Sequence, residues 1–317
     1  MQRDTTWFYN RKWGVSVHYL AQSVNTATHK NSYGKETDWT QCIEDFDTDL
    51  LAEQLHNVGA GYLIFTMVQI SRFLAAPNAT FDKISGYKPG EACSKVDVVE
   101  KLYKSLSKYD IDLILYFPCD GPTTDDKARE AFGSITYGEK NPHVTTEFVK
   151  KWCDVIKEYS LRYGDKVKGW WLDGCYYNIG YTDEKLAMIA DACRAGNPNA
   201  LVSSNLYGLI DDFKAIIDHV RRGCPSDDFT FGEMWNFKDL PYAPFIEDCR
   251  WHIWSSLGYK MRNEDFEDVS YTADYMKKYV DKVHSLGGVV TMDCGIFRDG
   301  KLYPEHLEMM SKLKEID

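Results

Sequence analysis

Short apolar runs alternate with amphipathic stretches along nearly the whole chain, from residue 13 onwards. This alternation is typical of repeated strand–helix units, in which each apolar run forms a buried parallel strand. The predicted strands are residues 13–18, 61–67, 111–117, 167–173, 200–205, 229–235, 250–255 and 288–293. Apolar residues at three- and four-residue spacing predict helices over residues 49–58, 97–109, 145–163, 183–195, 211–222 and 272–286.

Eight strand–helix pairs in 317 residues predict one α/β domain, residues 1–317, folded as a single (β/α)8 TIM barrel. The alternative is an open, doubly wound sheet, which requires a glycine-rich phosphate turn after its first strand. Tyr19 and Leu20 stand at that position, so the turn is missing. Residues 21–46 and 71–94 are rich in Asn, Thr, Gly and Pro, and are predicted to be loops over one mouth of the barrel.

Net charge and aromatic content indicate which kinds of ligand the protein can bind. A formal charge of -11 would repel nucleic acid and anionic membranes, so neither is expected as a partner. Aromatic residues make up 14% of the chain, and flat aromatic faces stack well on the C–H faces of sugars, although large cores also use many aromatics. The composition is therefore compatible with an oligosaccharide or glycoside substrate.

Nine cysteines are scattered along the chain, and no pair has the Cys-x-x-Cys spacing of a zinc or redox motif, so we expect mostly buried free thiols. No basic segment followed by an apolar one lies near Met1, and no apolar stretch approaches the length of a membrane span. The sequence as given therefore predicts a soluble protein, cytoplasmic or periplasmic.

Barrels of this class place their chemistry at the carboxyl ends of the strands. The residues expected there are His18, Gln69, Tyr116, Asp173, Asn205, Glu233, Trp254 and Asp293. A Schiff-base aldolase would need a lysine in this ring, and a phosphate-binding barrel would need glycine-rich turns after its late strands. Neither feature is present, and the ring is instead polar, aromatic and acidic.

Two carboxylates in this ring can carry out glycoside hydrolysis. Asp173 ends a buried apolar strand, where a charge is costly unless chemistry or pairing compensates for it. Glu233 stands among apolar residues, which are expected to raise its pKa and keep it protonated. The fourth and sixth strands are near neighbours around a barrel, so Asp173 as nucleophile and Glu233 as acid/base suit a retaining mechanism. Alternatively, Asp173 caps the following helix, and Glu233 pairs with a barrel Arg or Lys.

Five of the six remaining residues of the ring are predicted to bind substrate: His18, Gln69, Tyr116, Asn205 and Trp254. His18 could instead be a hydrogen-bonded core histidine, while Asp293 and Asp248 are interpreted as structural. The histidines show no metal-ligand spacing, and we expect no metal or organic cofactor.

The chain resembles the α-L-fucosidases of glycoside hydrolase family 29. Residues 13–18 (WGVSVH) are similar to that family's first-strand motif, which implies a sugar-binding role for His18. Residues 170–174 (WWLDG) are similar to its nucleophile motif, which implies that Asp173 forms the glycosyl-enzyme intermediate. Further similar segments follow in the family's order: residues 46–51, 59–63, 254–259 and 286–300.

Two features depart from the family pattern. The fucosidases have a Lys-His-His-Asp-Gly-Phe segment after the second strand, and its two His contact sugar hydroxyls, whereas residues 68–73 here read VQISRF. Gln69 can hydrogen-bond a hydroxyl but Ile70 cannot, so the sugar could differ from fucose.

The sequence also ends after the barrel, without the β-sandwich that commonly follows. The acid/base is not fixed by the resemblance, and Glu247 and Asp248 are alternatives to Glu233.

The leading hypothesis is a divergent α-L-fucosidase-like enzyme, represented by its catalytic barrel only. It would be a retaining exo-glycosidase that hydrolyses a terminal α-L-fucosyl or related sugar, and the resemblance implies a bacterial, polysaccharide-degrading setting. A second hypothesis is a non-catalytic carbohydrate-binding barrel, suggested by the replaced His pair. A third is a lyase or isomerase on the same scaffold, with Tyr116 or His18 as the base.

Overall fold

The computed structural model describes residues 3–206, 220–258 and 269–315, and a curled parallel sheet forms its centre. The strands are β1 (Trp13–Val17), β2 (Tyr62–Thr66), β3 (Asp112–Pro118), β4 (Gly169–Asp173), β5 (Leu201–Ser204), β6 (Phe245–Ile246), β7 (Cys249–Arg250), β8 (His252–Ser256) and β9 (Val289–Cys294). Seven of these strands form the sheet, in the order β5-β4-β3-β2-β1-β9-β8, and β6 and β7 form a short antiparallel pair. Because all the neighbours in the large sheet are parallel, their carboxyl ends lie along one edge.

Helices connect and cover the strands. The α-helices are α1 (Thr6–Asn10), α2 (Ala21–Val24), α3 (Trp39–Glu44), α4 (Thr48–Val58), α5 (Ala79–Ser85), α6 (Val98–Ser107), α7 (Asp126–Phe132), α8 (Thr146–Tyr163), α9 (Asp183–Cys193), α10 (Ala273–Ser285) and α11 (Pro304–Glu315). Single 3-10 turns lie at Lys30–Ser32, Gly164–Lys166 and Tyr177–Ile179. The predicted helices at 49–58, 97–109, 145–163, 183–195 and 272–286 therefore correspond to α4, α6, α8, α9 and α10. Most of the predicted helix 211–222 lies outside the described residues.

The prediction that residues 21–46 and 71–94 are loops is wrong in part, because these segments contain α2, α3 and α5. Asp38 accepts a hydrogen bond from the backbone N–H of Gln41, and Asn78 accepts one from that of Phe81. Such N-caps stabilise a helix start by about 1 kcal/mol, which offsets the weak helix propensity of the segments that follow. The Asn and Asp residues that suggested loops therefore begin two of the helices.

The curled sheet surrounds an apolar cluster of its own. Phe8 of α1 reaches into the amino end of the sheet, with its ring centroid 5.0 Å from that of Tyr62 and 4.8 Å from that of Phe229. His252, at the start of β8, lies beside it, and burial lowers the pKa of this imidazole to about 4. Its two ring nitrogens hydrogen-bond Thr230 and Thr291. The amino end is thus filled by packed side chains, which leaves the carboxyl edge for a binding site.

The predicted sixth strand, residues 229–235, is not confirmed as a regular strand. Residues 228–234 do lie between the two edge strands, with Asp228 N–H donating to Val202 O of β5 at 2.8 Å and Trp254 N–H of β8 donating to Gly232 O at 2.8 Å. However, Gly232 has a φ of +67°, and a Cβ there would lie 2.2 Å from His252 O. A positive φ interrupts a ladder. The segment accordingly makes only isolated bridges to β7 and β8, at residues 229 and 233.

All nine cysteines are free, and eight of them are buried, as expected from their spacing. No helix in the described part of the chain is both long and apolar enough to cross a membrane.

Candidate active site

The residues predicted to form the site lie along the carboxyl edge of the sheet. His18 directly follows β1, Gln69 lies three residues beyond β2, and Tyr116 lies within β3. Asp173 is the last residue of β4, and Asn205 directly follows β5. Hydrogen bonds and ring contacts connect these residues, together with Glu233 and Trp254, into one network.

Asp173 accepts hydrogen bonds from three side chains of this network. Its Oδ2 accepts from Tyr116 Oη at 2.5 Å, and its Oδ1 accepts from Tyr176 Oη at 3.1 Å and from Asn205 Nδ2 at 2.9 Å. Asp173 does not cap an α-helix, since the turn that follows is a 3-10 turn whose N-cap is Tyr176. These contacts hold the carboxylate in one orientation at the edge of the sheet.

The glycine after Asp173 is required by the backbone. Gly174 has a φ of +70°, and a Cβ at this position would lie 3.0 Å from the backbone nitrogen of Asp120. This left-handed turn directs the chain so that Cys175 N–H donates to Asn205 O at 3.2 Å and Tyr176 reaches back to Asp173. The Asp-Gly pair therefore places both the carboxylate and one of its donors.

Asn205 brings the two predicted catalytic acids together. Its Nδ2 donates one hydrogen bond to Asp173 Oδ1 and a second, very short one to Glu233 Oε2. Because both oxygens lie within hydrogen-bonding reach of one nitrogen, they are at most about 6 Å apart. The two carboxyl groups therefore face a common space.

The tyrosines beside Asp173 remain hydrogen-bond donors. Burial, followed by the negative charge of Asp173, raises the pKa of Tyr116 and of Tyr176 well above the usual value for tyrosine. The Tyr116 ring stacks on Trp171 with centroids 5.3 Å apart, and its hydroxyl oxygen also accepts from Gln69 Nε2 at 3.0 Å. Gln69 is thus oriented through Tyr116 towards the acids.

A second chain of hydrogen bonds fixes His18. Trp254 Nε1 donates to Ser16 Oγ at 2.6 Å, and Ser16 Oγ donates to Asp293 Oδ1 at 2.6 Å. His18 Nδ1 donates to the same carboxylate oxygen at 3.1 Å. Burial lowers the pKa of His18, but the charge and hydrogen bond of Asp293, with smaller contributions from Asp173 and Glu233, raise it overall. Its imidazole is thereby disposed to carry a proton.

The His18 side chain is 15% exposed and borders a small recess together with Asn31, Ser256, Asp293 and Tyr303. The N–H of Trp254 is already used in its hydrogen bond to Ser16, so this residue acts at the site through its ring. The Trp254 ring stacks on Trp171 at 5.7 Å and meets the His18 ring edge-on at 6.0 Å. The rings of Trp254, Trp171 and His18 thus lie next to one another at the carboxyl edge of the sheet.

The alternative acids Glu247 and Asp248 lie elsewhere. They form the two-residue turn between β6 and β7, both with positive φ, and so precede the amino end of β8. Glu233 lies instead beside Trp254, towards the carboxyl end of β8. Of the three acids, Glu233 is the one hydrogen-bonded into the network that contains Asp173.

The sequence reasoning missed Tyr176 and Ser16 and gave Asp293 only a structural role. Tyr176 follows a left-handed turn, so strand periodicity gives no direction for its side chain. Asp293 and Ser16 face each other across paired strands, since these two residues are partners in the β1–β9 register. That pairing of the first and last strands was the signal that could have identified them. Within the described residues, no group of three or more His, Cys, Asp or Glu side chains is arranged to hold a metal ion.

Comparison with known proteins identifies the family of the chain. The family model described as Alpha-L-fucosidase matches residues 2–315, nearly the whole chain. Among proteins with curated descriptions, none matches the chain in sequence.

Several solved structures share the fold. An endo-fucoidan hydrolase from glycoside hydrolase family 107 has a TM-score of 0.68 at 15% identity, covering 97% of this chain and 92% of its own. An α-L-fucosidase of family GH29 from Bacteroides thetaiotaomicron, trapped as a covalent intermediate, has a TM-score of 0.64 at 15% identity, covering 99% and 75%. An α-L-fucosidase from Lactobacillus casei, in complex with α-L-fucose, has a TM-score of 0.63 at 15% identity, covering 98% and 97%. At this level of identity the likeness concerns the fold alone.

Proposed function

The chain belongs to the α-L-fucosidase family, and from that premise we propose that it is a retaining exo-glycosidase acting on a terminal α-L-fucosyl or related sugar. The observation that carries this proposal is the amide of Asn205, which donates to both Asp173 and Glu233. Retaining glycosidases hold their two carboxyl groups roughly 5 Å apart, whereas inverting enzymes need about 6.5–9.5 Å to admit a water. The upper limit of about 6 Å set by one shared donor supports the retaining geometry.

In the proposed mechanism, Asp173 attacks the anomeric carbon while Glu233 donates its proton to the glycosidic oxygen. The bond between that carbon and oxygen breaks, the alcohol leaves, and the sugar remains as an ester on Asp173. Glu233, now a carboxylate, removes a proton from a water molecule, which attacks the same carbon. The ester bond breaks, the sugar departs with its original anomeric configuration, and both acids return to their starting states.

The surrounding residues have distinct roles in this proposal. Tyr116 and Asn205 orient Asp173, and Asn205 keeps Glu233 beside it. His18, held by Asp293, and Gln69 would bond the sugar hydroxyls, and Trp254 would face an apolar side of the ring. Gln69 and Ile70 replace the two histidines of the family pattern, so the sugar could carry a different hydroxyl arrangement from fucose.

We further propose that residues 1–317 act as one catalytic domain in which residues 229–235 take the place of an eighth strand. The backbone bonds from Asp228, directly before this segment, to β5 and from Gly232 and Met234 to β8 support that placement, and they would hold Glu233 opposite Asp173. The barrel would then be closed by the segment that carries the acid/base.

The test is a screen of 4-nitrophenyl glycosides, including the α-L-fucoside, with the wild-type protein and its Asp173→Asn variant. We expect nitrophenol release by the wild type alone, and proton NMR should detect the retained anomer as the first product. Added azide should restore turnover to Asp173→Asn with a glycosyl azide of inverted configuration, because azide replaces the missing nucleophile. Equal activity of the two proteins would refute the assignment of Asp173. Sugar binding without hydrolysis of any glycoside would instead favour a non-catalytic carbohydrate-binding protein.

A further inference from the structure

The hydrogen bonds around Asp293 have only one possible direction. Trp254 Nε1 can only donate, and Ser16 Oγ accepts its proton at 2.6 Å. The carboxylate of Asp293 can only accept, so Ser16 donates its own proton to Oδ1, also at 2.6 Å. The bond of 3.1 Å between the same oxygen and His18 Nδ1 therefore requires a proton on Nδ1. His18 is thus limited to two forms, the imidazolium and the neutral ring protonated on Nδ1.

The other ring nitrogen of His18 is left for a ligand. Within the described residues, His18 Nε2 makes no hydrogen bond, and it is not among the buried polar atoms that lack a partner. It is therefore open to solvent at the carboxyl edge of the sheet. Because Nδ1 is protonated in both forms, Nε2 carries a proton in the imidazolium and only a lone pair in the neutral ring. It can donate to a sugar oxygen in the first form but only accept in the second.

The sheet sets the position of Asp293. Ser16 on β1 and Asp293 on β9 are partners in the parallel register, and His18 lies two residues beyond Ser16. Side chains two residues apart along a strand point to the same side, so Ser16 and His18 both meet this carboxylate. All three side chains are mostly buried, and little water competes for their hydrogen bonds. The orientation of the His18 ring is therefore fixed before a ligand binds.

The charges that face His18 are negative. Burial, the largest effect, lowers the pKa of His18, but the charge and hydrogen bond of Asp293 on β9 raise it. The charges of Asp173 on β4 and Glu233 on residues 229–235 add to this rise, which is the overall result. Tyr116 on β3 meets the His18 ring edge-on at 5.4 Å and is neutral, because burial raises its pKa. These surroundings favour the imidazolium.

The groups across the recess from His18 are neutral. His306 on α11 accepts from the backbone N–H of Gly295 at 3.2 Å, which requires an unprotonated Nδ1. The Tyr303 hydroxyl donates to Asn31 Oδ1 at 2.6 Å. Burial raises the pKa of the Cys294 thiol, which keeps its proton. The protonation of His18 therefore depends chiefly on Asp293, the charge in direct contact with it.

We propose that Asp293 is a positioning residue for sugar recognition, which holds His18 so that Nε2 donates to an acceptor oxygen of the sugar and keeps the imidazole protonated for this bond. The proposal rests on the proposed function, because the sugar is the ligand of the same site. Asp293 acts in it through His18 rather than by touching the sugar. Sugar binding and protonation of His18 then strengthen each other, because the coupling between two ligands of one protein is reciprocal.

Nitrogen NMR of isotope-labelled histidine rings tests the protonation without requiring turnover. The His18 signals are identified by their loss in a His18→Gln variant, and the neutral ring is expected to keep its proton on Nδ1. In Asp293→Asn the amide oxygen still accepts from Nδ1 but the charge is lost, so the titration midpoint of His18 should fall by about one pH unit or more. The control is Asp274→Asn, which removes an exposed carboxylate paired with Lys278 on α10 and should leave the midpoint unchanged.

Binding of L-fucose, measured by calorimetry across the same pH range, provides a second readout. If Nε2 donates, L-fucose should raise the midpoint of His18 and bind about fivefold more tightly below it than above it, since a charged donor makes the stronger hydrogen bond. The pH at which binding weakens should fall in Asp293→Asn together with the midpoint. The His18→Gln protein should lack this step, which separates it from the titration of the other acids. The wild type alone gives the sign of the coupling, even if Asp293→Asn does not fold.

Three results would overturn the positioning role of Asp293. They are an unchanged His18 midpoint in Asp293→Asn, a neutral His18 ring protonated on Nε2, and tighter binding of L-fucose above the midpoint than below it. The last result would mean that Nε2 accepts from the sugar instead of donating to it.

The two proposals fail in different ways. If the wild type hydrolyses glycosides but Asp293→Asn leaves the His18 midpoint unchanged, the positioning role is wrong and the proposed function stands. If the wild type hydrolyses nothing while L-fucose binding follows the protonation of His18, the positioning role stands and the proposed function is wrong.

Discussion

Two acids at opposite ends of one short segment are stabilised in contrasting ways. At the start of residues 228–233, Asp228 is 2% exposed and accepts from Arg194 Nη2 at 2.7 Å and from the backbone of Val202 at 2.9 Å. At the end, Glu233 accepts from the neutral amide of Asn205, which it shares with Asp173. A buried cation neutralises the first acid, whereas two acids share one neutral donor at the second site.

The contrast separates a structural acid, Asp228, from the acid that we propose for catalysis, Glu233. Arg194 and Asp228 form a buried ion pair, and removing either partner would leave the other as an unpaired buried charge. Glu233 and Asp173 share the Asn205 donor, so protonation of Glu233 relieves the repulsion between these two carboxylates. A group that gives and takes a proton in each catalytic cycle requires the second kind of environment.

Replacing Glu233 by Gln tests the reactive end and should have the largest effect. Gln keeps an acceptor for Asn205 but cannot donate the proton that a sugar leaving group needs, so we expect kcat on oligosaccharides to fall by about 10²–10⁴. A nitrophenyl leaving group needs little protonation, so its release should fall much less. The free energy of unfolding, measured with denaturant, should change by less than about 1 kcal/mol. Equal losses on both substrates would contradict the acid/base role.

Replacing Arg194 by Met tests the structural end. Asp228 would remain as a buried charge without its closest cation, which costs roughly 3–5 kcal/mol of unfolding free energy. Arg3, 3.6 Å from the other oxygen of Asp228, should keep the loss towards the lower value. Adding Asp228→Asn should restore part of the stability, and activity per folded molecule should stay within about threefold of wild type. A fall in activity per folded molecule of much more than threefold would show that the Arg194–Asp228 pair also affects the site at Glu233.

Asp227 provides an intermediate case, a buried acid held by neutral groups. It accepts from Ser204 Oγ at 2.8 Å and from the backbone N–H of Cys224 at 2.9 Å. Burial raises its pKa from 3.8 to about 7. The folded state therefore holds this proton more tightly than the unfolded chain, and the stabilising contribution is lost as pH rises from about 4 to about 7.

An Asp227→Asn variant lacks this titration. The stability of the wild type relative to the variant should fall by about 1.4 kcal/mol per pH unit between pH 4 and pH 7, and level off above that. Denaturant unfolding of both proteins at several pH values measures the difference. A difference independent of pH would mean that Asp227 stays ionised when folded.

The positions of the strand ends could be predicted from the sequence because buried parallel strands are continuous apolar runs with clear boundaries. Asp173 and Asn205 were placed correctly at the carboxyl edge for this reason. The irregularity of the predicted sixth strand, residues 229–235, could not be predicted, since one positive φ at Gly232 interrupts the ladder without changing the apolar pattern. The caps at Asp38 and Asn78 show a related difficulty, because the same residue types favour turns and begin helices.

The hydrogen bonds between the site residues were harder to predict than the identity of those residues. Asn205 was expected to bind sugar, but its contacts to both acids depend on how β4, β5 and the segment carrying Glu233 approach one another. The hydrogen bond from His18 to Asp293 required the pairing of β1 with β9. Such contacts depend on tertiary geometry that the local pattern does not contain.

The smallest expected effect concerns two adjacent residues, Tyr176 and Tyr177. They compare a contact to the proposed nucleophile with a structural contact. The Tyr176 hydroxyl donates to Asp173 at 3.1 Å, whereas the Tyr177 hydroxyl donates to Asp183, at the start of α9, at 2.6 Å. A hydrogen bond to a charged group contributes about 1.5 kcal/mol or more, so Tyr176→Phe should lower kcat/KM about tenfold. Tyr177 is 48% exposed, and Tyr177→Phe should leave kcat/KM within about twofold. If both variants lost the same activity, the effect would come from the turn as a whole, and the orientation of Asp173 would not depend on the Tyr176 hydroxyl.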